Sequence, residues 1–323
     1  MDYEAFINEW NSPDSRVLVH TSGSTGAPKP MMVEKRRMEA SARITCEFLG
    51  LKHGDTALLC MPLDFIAGKM MVVRAITCGL NLLRVNPCGH PLASVPPGIS
   101  IHFAAMVPLQ VANSLQNATE RVRLKRIKHL IIGGGAIDAD MERQLRAFPN
   151  AVWSTYGMTE TLSHIALRRI SGNDATEWYT PLEGVKVSLD PRGCLVVSAP
   201  RVCEHTLVTN DRAVIQGHRF RILGRIDNVV CSGGIKIQIE EVEQMLKPLI
   251  HNRFIITKRA DSTLGEALTM LTEDPDTNAI AQICREHLPK YHQPRHIFHI
   301  TKIPTTETGK PARAKAESIA NSL

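Results

Sequence analysis

Residues 21–29 combine four hydroxyl side chains, two glycines and one lysine within nine positions. In order, they are Thr21, Ser22, Gly23, Ser24, Thr25, Gly26, Ala27, Pro28 and Lys29. Glycine lets a backbone turn through positive φ and approach a ligand closely, and successive N–H groups in such turns form concavities that bind anions. Because hydroxyl donors and a cation accompany the glycines, the composition predicts a phosphate-binding loop. The alternative interpretation is a Gly/Ser surface turn, and the spacing is not that of the common P-loop.

A second polar group occupies residues 156–160, with the sequence Tyr-Gly-Met-Thr-Glu. A magnesium–nucleotide complex needs hard oxygen ligands, and one protein carboxylate together with phosphate oxygens is a typical arrangement. Glu160 is therefore a candidate magnesium ligand, Thr159 a candidate donor to a phosphate, and Tyr156 a ring that can cover a base. Taken alone, a Thr-Glu pair is more typical of the start of a helix.

Together, the Thr-Ser-Gly-Ser-Thr-Gly-x-Pro-Lys and Tyr-Gly-x-Thr-Glu strings resemble the adenylate-forming enzymes, which include acyl-CoA synthetases, luciferase-like enzymes and the adenylation domains of peptide synthetases. Further matches span nearly the whole chain. The resemblance implies ATP, Mg²⁺ and coenzyme A as ligands, and Thr159 and Glu160 as catalytic residues, with Glu160 on the metal. The residues that it places around the nucleotide are Thr21, Ser22, Gly23, Ser24, Thr25, Gly26, Lys29, Gly133, Gly134, Gly135, Ala136, Ser154, Thr155, Tyr156, Gly157, Asp211 and Arg225.

The same resemblance assigns roles near the end of the chain. Asp227 matches the hinge residue, and Gly233 and Gly234 match the glycine loop that faces the pantetheine channel. Lys310, in Thr-Gly-Lys, matches the catalytic lysine that contacts the carboxylate and the α-phosphate, where a cation stabilises charge that develops at phosphorus. Residues 209–211 read Thr-Asn-Asp where the family has Thr-Gly-Asp.

The segment from Pro62 to Arg74 resembles the corresponding segment of the o-succinylbenzoate–CoA ligases of menaquinone biosynthesis. That acid has two carboxylates, so one is activated and the other needs a cation. Lys69 and Arg74 are the candidate partners, because charge-assisted hydrogen bonds to carboxylates are strong; a structural ion pair or exposure to solvent is the alternative for Arg74. Ser163 and His164 are expected to line the acid pocket. His164 is not needed as a base, because the attacking carboxylate is already ionised at pH 7.

Alternating strand and helix patterns must position these residues. Apolar strands are predicted before the glycine runs at 133–135 and before Tyr156, and ligands bind at the carboxyl ends of strands in such sheets. The predicted fold class is α/β, with a large N-terminal α/β domain that includes a β-rich subdomain (residues 1–226) and a small α+β C-terminal domain (residues 227–323) joined by a hinge. The phosphate loop begins at residue 21, so the first domain is expected to be shortened at its N-terminus.

Composition limits the remaining classes. The 323-residue chain has a net charge of +6, only 5% aromatic residues and eight scattered cysteines without a C-x-x-C pair. These features argue against a zinc site, a disulfide framework and a nucleic-acid surface with interleaved aromatic rings. No apolar run approaches a membrane span, and residues 1–10 do not resemble a signal peptide. A cytoplasmic protein is expected, and the oligomeric state stays open, with a homo-oligomer among the outcomes.

The expected activity is an ATP-dependent acid–CoA ligase that converts a carboxylate and ATP to acyl-adenylate and pyrophosphate, and then to a CoA thioester and AMP. The small-molecule partners are the carboxylic acid, ATP and CoA, and o-succinylbenzoate is the favoured acid. The alternatives are another aryl or short-chain acyl-CoA ligase, or a nucleotide-binding relative without catalytic activity.

Overall fold

A computed structural model describes residues 1–20, 30–135, 137–305 and 311–323. The predicted phosphate-loop residues 21–29, Ala136 and Lys310 lie outside the described residues, as do positions 306–309. The described helices are α1 (Tyr3–Asn11), α2 (Lys35–Leu49), α3 (Ile66–Cys78), α4 (Pro108–Gln116), α5 (Ala118–Leu124), α6 (Ala139–Arg146), α7 (Ile239–Leu246), α8 (Thr277–His287) and α9 (Arg313–Ser322). Short 3₁₀ turns cover Pro91–Ser94, Thr159–Thr161, Ile226–Asn228 and Lys290–His292.

The described strands fall into four sheets. They are β1 (Arg16–His20), β2 (Pro30–Glu34), β3 (Thr56–Leu59), β4 (Asn81–Arg84), β5 (Phe103–Met106), β6 (His129–Ile132), β7 (Ala151–Gly157), β8 (His164–Arg169), β9 (Thr180–Pro181), β10 (Lys186–Leu189), β11 (Cys194–Ser198), β12 (Leu207–Gln216), β13 (Arg219–Arg225), β14 (Val229–Ser232), β15 (Ile235–Gln238), β16 (Phe254–Asp261), β17 (Gly265–Thr272) and β18 (His296–His299). This mixture of parallel sheet and helices confirms the α/β fold class.

The largest sheet has the strand order β4-β3-β5-β6-β7-β8-β9. Strands β4 to β7 of this order are parallel, β8 runs antiparallel to β7, and β9 runs antiparallel to β8. Successive side chains of a strand point to opposite faces: Leu59 joins a core with α2 and α3, and Leu58 joins a core with α4, α5 and α6. Because parallel strands end at one edge, the segments after Leu59, Met106, Ile132 and Gly157 come together there.

Two smaller sheets follow along the chain. Strands β10 to β13 form an antiparallel sheet in sequence order. Strands β14 to β18 form another, in which β18 is parallel to β17, and its core includes residues of α7 and α8. The turn Ile226–Asn228 connects the two sheets, and we propose the domain boundary there, between residues 226 and 227.

The N-terminal helix α1 packs onto the α2–α3 side of the large sheet. Phe6 is fully buried and Trp10 is 8% exposed, and Asp2 caps the helix by accepting a hydrogen bond from the Ala5 N–H. Residues 3–11 were not predicted to be helical, although Phe6 and Trp10 have the i, i+4 spacing that places two side chains on one helical face. No helix in the described part of the chain is long and apolar enough to cross a membrane.

Candidate active site

A cavity of about 600 Å³ lies at the carboxyl edge of the large sheet. Its size is that of a small-molecule binding site. Among the residues predicted to bind the nucleotide, it is lined by Gly133, Gly134, Thr155, Gly157 and Thr159. Among those predicted to bind the acid, it is lined by Arg74, Ser163 and His164. The structure therefore brings both groups to one cavity.

Two of the glycines are required by close packing at this edge. A Cβ atom on Gly133 would lie 2.5 Å from Oγ1 of Thr155, and one on Gly157 would lie 2.3 Å from the Ser163 carbonyl oxygen. Since real Cβ atoms do not approach other atoms so closely, larger residues would push these segments apart. The glycines thus keep the ends of β6, β7 and β8 in contact around the cavity.

The turn after Gly157 carries a strained residue. Thr159–Thr161 form a short 3₁₀ turn, and Leu162 follows with φ of +65°. In the described ranges, it is the only non-glycine residue with positive φ, a conformation that costs about 1–3 kcal/mol and is concentrated at functional sites. The chain reverses direction here, so that Thr159, at the start of the turn, and Ser163, just after Leu162, both line the cavity.

Tyr156 and Arg225 meet at Asp211. The Tyr156 hydroxyl donates to Oδ2 of Asp211 at 2.6 Å, and Nη1 of Arg225 donates to Oδ1 at 3.2 Å. Burial and the adjacent Asp211 carboxylate raise the pKa of Tyr156, so its hydroxyl remains a donor. Both oxygens of Asp211 thus have partners before any ligand is present, and a ribose would share or replace them.

Ser154 and Glu160 lie apart from the cavity lining. The Ser154 hydroxyl is 2.8 Å from the Tyr179 hydroxyl, and Ser154 is only 6% exposed. Both observations indicate a packing role for Ser154 in β7. Glu160 is exposed and forms no ion pair with the residues that the structure describes. A free carboxylate beside Thr159 fits the single protein ligand that a phosphate-bound magnesium ion requires.

Arg74 is a buried cation in the wall of the cavity. It is 2% exposed, and its Nη2 donates to Oγ of Ser163 at 2.7 Å. The Nε atom has no hydrogen-bond partner within the described ranges, and no carboxylate there pairs with the guanidinium. Burial lowers the pKa of Arg74 to about 10, so the group is charged at pH 7, with no carboxylate counter-ion among the described residues.

His164 lies beside Arg74 and is neutral. It is 7% exposed, with Nε2 3.1 Å from Oγ1 of Thr45 and Nδ1 3.2 Å from Oγ of Ser163. Burial, followed by the charge of Arg74, holds the pKa of His164 well below its usual range. The imidazole therefore contributes hydrogen bonds rather than a second positive charge.

Lys69 does not reach this cavity, contrary to the expectation that it binds the acid. Its Nζ donates to the Leu18 carbonyl at 2.6 Å and lies 3.6 Å from Oε2 of Glu9 and 5.3 Å from the Phe6 ring centroid. Five positions along a helix correspond to a rotation of about 140°, so Lys69 and Arg74 occupy different faces of α3. Lys69 instead connects α3 to α1 through Glu9 and to β1 through the Leu18 carbonyl.

The C-terminal candidates occupy two places. Asp227 accepts a hydrogen bond from Nη2 of Arg225 at 2.7 Å and, with Gly135, lines a second cleft of about 970 Å³. Gly233 and Gly234 form the β14–β15 turn with φ of +57° and +83° and line neither cavity. Thr305 lines the first cavity, which brings the C-terminal part of the chain to the acid and nucleotide residues.

Thr45 and Leu162 were missed by the sequence analysis. Thr45 belongs to α2, and its position in the sequence gives no signal of a contact with α3. No periodicity predicts the left-handed conformation of a leucine. Arg74, in contrast, was predicted as a partner of the second carboxylate, because charge-assisted hydrogen bonds to carboxylates are strong.

The sequence profile of the AMP-binding enzyme family matches residues 4–196, more than half of the chain. The 2-succinylbenzoate–CoA ligase of Bacillus mycoides shares 24% sequence identity with this chain. The alignment covers 99% of this chain and 73% of that relative. An acyl-CoA synthetase (AMP-forming)/AMP-acid ligase II-like protein from Dyadobacter fermentans is 33% identical, with a TM-score of 0.66 over 96% of this chain and 91% of its own.

A third similar protein is the o-succinylbenzoate coenzyme A synthetase of Bacillus subtilis. Its complex with ATP and magnesium ion has a TM-score of 0.76 and 20% identity, over 92% of this chain and 69% of its own. Its complex with the acyl-adenylate intermediate has a TM-score of 0.77 and 20% identity. The alignment covers 93% of this chain and 68% of that protein. The fold, the profile match and the relative at 33% identity agree, and the chain belongs to the AMP-binding enzyme family.

Proposed function

We propose that this protein is an ATP-dependent acid–CoA ligase whose acid is o-succinylbenzoate. Family membership supports the adenylate-forming chemistry, and the activities for which the B. mycoides and B. subtilis relatives are named support the acid. The observation that carries the choice of acid is the burial of Arg74 in the wall of the cavity. A cation that is 2% exposed and has no carboxylate partner in the described part of the chain requires an anion from the ligand.

The two ends of the cavity divide the acid between them. One carboxylate lies near Thr159 and Gly133, where the nucleotide is expected, and the other pairs with Arg74. Met61, Phe65 and Ile66 line the cavity and supply apolar surface for an aromatic ring. Neutral His164 adds no second charge beside Arg74, so a single carboxylate balances this end of the cavity.

In the first half-reaction, an ionised carboxylate attacks the α-phosphorus of ATP, and the bond to the bridging oxygen breaks to release pyrophosphate. Thr159 donates to the α-phosphate, and Asp211 binds the ribose hydroxyls. Residues 21–29 hold the β- and γ-phosphates, and Lys310 stabilises the charge that develops at phosphorus. Glu160 would hold the magnesium ion, which when bound would supply neutralisation of the phosphate charge.

In the second half-reaction, the thiol of coenzyme A attacks the acyl carbonyl and AMP leaves. We assign Asp227 as the residue about which the C-terminal part reorients, because it lies in the three-residue connection between two sheets. Gly233 and Gly234 then face the pantetheine arm, whose narrow channel requires close backbone approach.

ATP–pyrophosphate exchange tests this proposal. The purified protein is assayed with o-succinylbenzoate, benzoate and a short fatty acid in parallel, with Lys310→Ala as a control that should retain ATP binding but lose exchange. Exchange with o-succinylbenzoate alone is expected. Exchange with another acid would retain the ligase and reject the assigned acid. Bound ATP without exchange for any acid would favour a nucleotide-binding protein without this activity.

A further inference from the structure

The side chain of Thr45 lies beside the guanidinium of Arg74, although the two residues belong to different helices. Thr45 is on α2 and is completely buried. Its Oγ1 lies 3.5 Å from Nη2 of Arg74 and 3.1 Å from Nε2 of His164. Thr45, on a helix that packs against α3, thus contacts both the charged Arg74 and the neutral His164, which line the cavity.

The direction of each hydrogen bond follows from the single proton of a hydroxyl group. Oγ1 of Thr45 donates that proton to the Ser41 carbonyl at 3.0 Å, so toward Arg74 and His164 it acts as an acceptor. His164 then carries its proton on Nε2, and Nδ1 accepts from the Ser163 hydroxyl at 3.2 Å. The oxygen of Ser163 is left to accept from Nη2 of Arg74.

Nη2 of Arg74 is therefore held by two hydroxyl oxygens, one on α2 and one on the segment after Leu162. The other guanidinium nitrogens are weakly held: Nη1 lies 3.9 Å from Sδ of Met71, and Nε has no partner in the described ranges. Sulfur is a weak acceptor. The orientation of the guanidinium within the cavity wall thus depends on Thr45 and Ser163.

We propose that Thr45 is a positioning residue for Arg74, and that through this contact it sets the preference for a dicarboxylic acid over the corresponding monocarboxylic acid. The inference rests on the proposed function, since it concerns the carboxylate that is not activated. The Thr45 hydroxyl does not itself contact the acid. It holds Nη2, which leaves the remaining donor capacity of the guanidinium for the ligand carboxylate.

The test compares two acids that differ by one carboxylate. o-Succinylbenzoate has both groups, and 4-oxo-4-phenylbutanoate lacks the carboxylate on the ring but keeps one for activation. KM and kcat for each acid are measured by pyrophosphate release with the full-length protein. The variants are Thr45→Val, which removes the hydroxyl at constant shape, Thr45→Ser, which keeps it, and Arg74→Met. Thermal unfolding is recorded for each, and Thr45→Ala replaces Thr45→Val should that variant not fold.

Thr45→Val is expected to raise KM for o-succinylbenzoate about tenfold, the loss that one hydrogen bond to a charged group produces. Its kcat and both constants for 4-oxo-4-phenylbutanoate should stay within about twofold of the wild-type values, and Thr45→Ser should restore the KM. An equal loss for both acids, or no loss for either, would overturn the inference, because a merely structural role affects the acids alike.

The Arg74→Met variant separates this inference from the proposed function. Should Arg74→Met leave the ratio of the two acids unchanged, the assigned acid and the role of Thr45 would both be wrong. Should Arg74→Met abolish the preference while Thr45→Val leaves it intact, the assigned acid would stand and only the positioning role would be rejected.

Discussion

The side-chain amide of Asn210 donates to both carboxylate oxygens of Asp227, at 3.0 and 3.2 Å. The orientation of this amide is set by Arg192, whose Nη1 donates to Oδ1 of Asn210 at 3.2 Å. Asn210 occupies the position at which a glycine was expected from the family resemblance. Its side chain consequently ties β12 to the short connection that leads into the C-terminal sheet.

Replacing Asn210 by glycine should release this connection. We expect Asn210→Gly to increase the single-turnover rate of thioester formation roughly threefold, since one exposed hydrogen bond contributes about 0.5–1 kcal/mol. Adenylate formation, measured by rapid-quench release of pyrophosphate, should change little. Arg192→Ala is the matched control and should produce a smaller increase in the same step. Equal changes in both half-reactions would contradict this role of Asn210.

Arg313 and Glu243 form a two-pronged ion pair at the base of the C-terminal helix. Nη1 and Nη2 of Arg313 lie 3.1 and 2.8 Å from the Glu243 oxygens, and Glu243 also accepts from the Ile256 N–H. We expect Arg313→Met to lower the free energy of unfolding by about 3 kcal/mol, because it leaves a mostly buried carboxylate unpaired. Urea unfolding would measure the change.

The double variant Arg313→Met with Glu243→Met provides the control for this ion pair. Removal of both charges should restore part of the stability that Arg313→Met loses, since a buried pair replaced by apolar groups is often nearly neutral. Strict additivity of the two single losses would show that the contribution of each residue does not depend on the other.

Lys69 is expected to affect stability but not the choice of acid. Lys69→Met keeps the packing of the aliphatic stem and removes the contacts of Nζ with the Leu18 carbonyl and Glu9. We expect a loss of about 2 kcal/mol in the free energy of unfolding, by loss of one partner of a partly buried pair. The ratio of activities with o-succinylbenzoate and 4-oxo-4-phenylbutanoate should match the wild type. A change in that ratio would return Lys69 to the acid site.

His164 makes stability depend on pH in a defined direction. Its pKa is lowered in the folded protein relative to an unfolded value of about 6.5, so the unfolded chain binds the extra proton first. The contribution of His164 to stability is therefore complete above pH 6.5 and decreases as the pH falls below it, by up to about 1.4 kcal/mol per pH unit.

Urea unfolding of the wild type and of His164→Gln at pH 7.5 and pH 5.5 measures this contribution. The wild type should lose more stability than the variant between these two pH values. The wild type must be compared with the variant because burial also lowers the pKa of His129. His129 therefore adds the same pH dependence of stability to both proteins. Equal losses would mean that His164 is protonated at similar pH in the folded and unfolded states.

Much of this architecture could be predicted from sequence because it depends on local patterns. The apolar strands before Gly133 and Tyr156 predicted an α/β sheet with ligand residues at the carboxyl ends of its strands. The parallel pairing of β6 with β7 agrees with the predicted sheet, and Gly133, Thr155 and Gly157 line a cavity at that edge. An arginine inside the apolar run of α3 indicated a polar site, since a charge among apolar residues needs a polar partner or access to solvent. Arg74 is indeed buried in the cavity wall.

The features that were missed depend on which face of one element meets another. Lys69 and Arg74 looked equivalent in sequence, and only the packing of α1 against α3 assigns Lys69 to Glu9. The contact of Thr45 with Arg74 is similarly set by the packing of α2 on α3. Side chains 29 residues apart in sequence carry no pattern that reveals such a contact.

The buried charge of Arg74, which has no carboxylate partner in the described part of the chain, has a consequence for inhibitor design. A compound that mimics the acyl-adenylate but replaces the ring carboxylate with a neutral group would fill the cavity and leave a desolvated guanidinium without an anion. Such a compound should bind far more weakly than its carboxylate counterpart, so the negative charge cannot be removed simply to improve entry into cells. A masked carboxylate that is released after uptake would satisfy both demands.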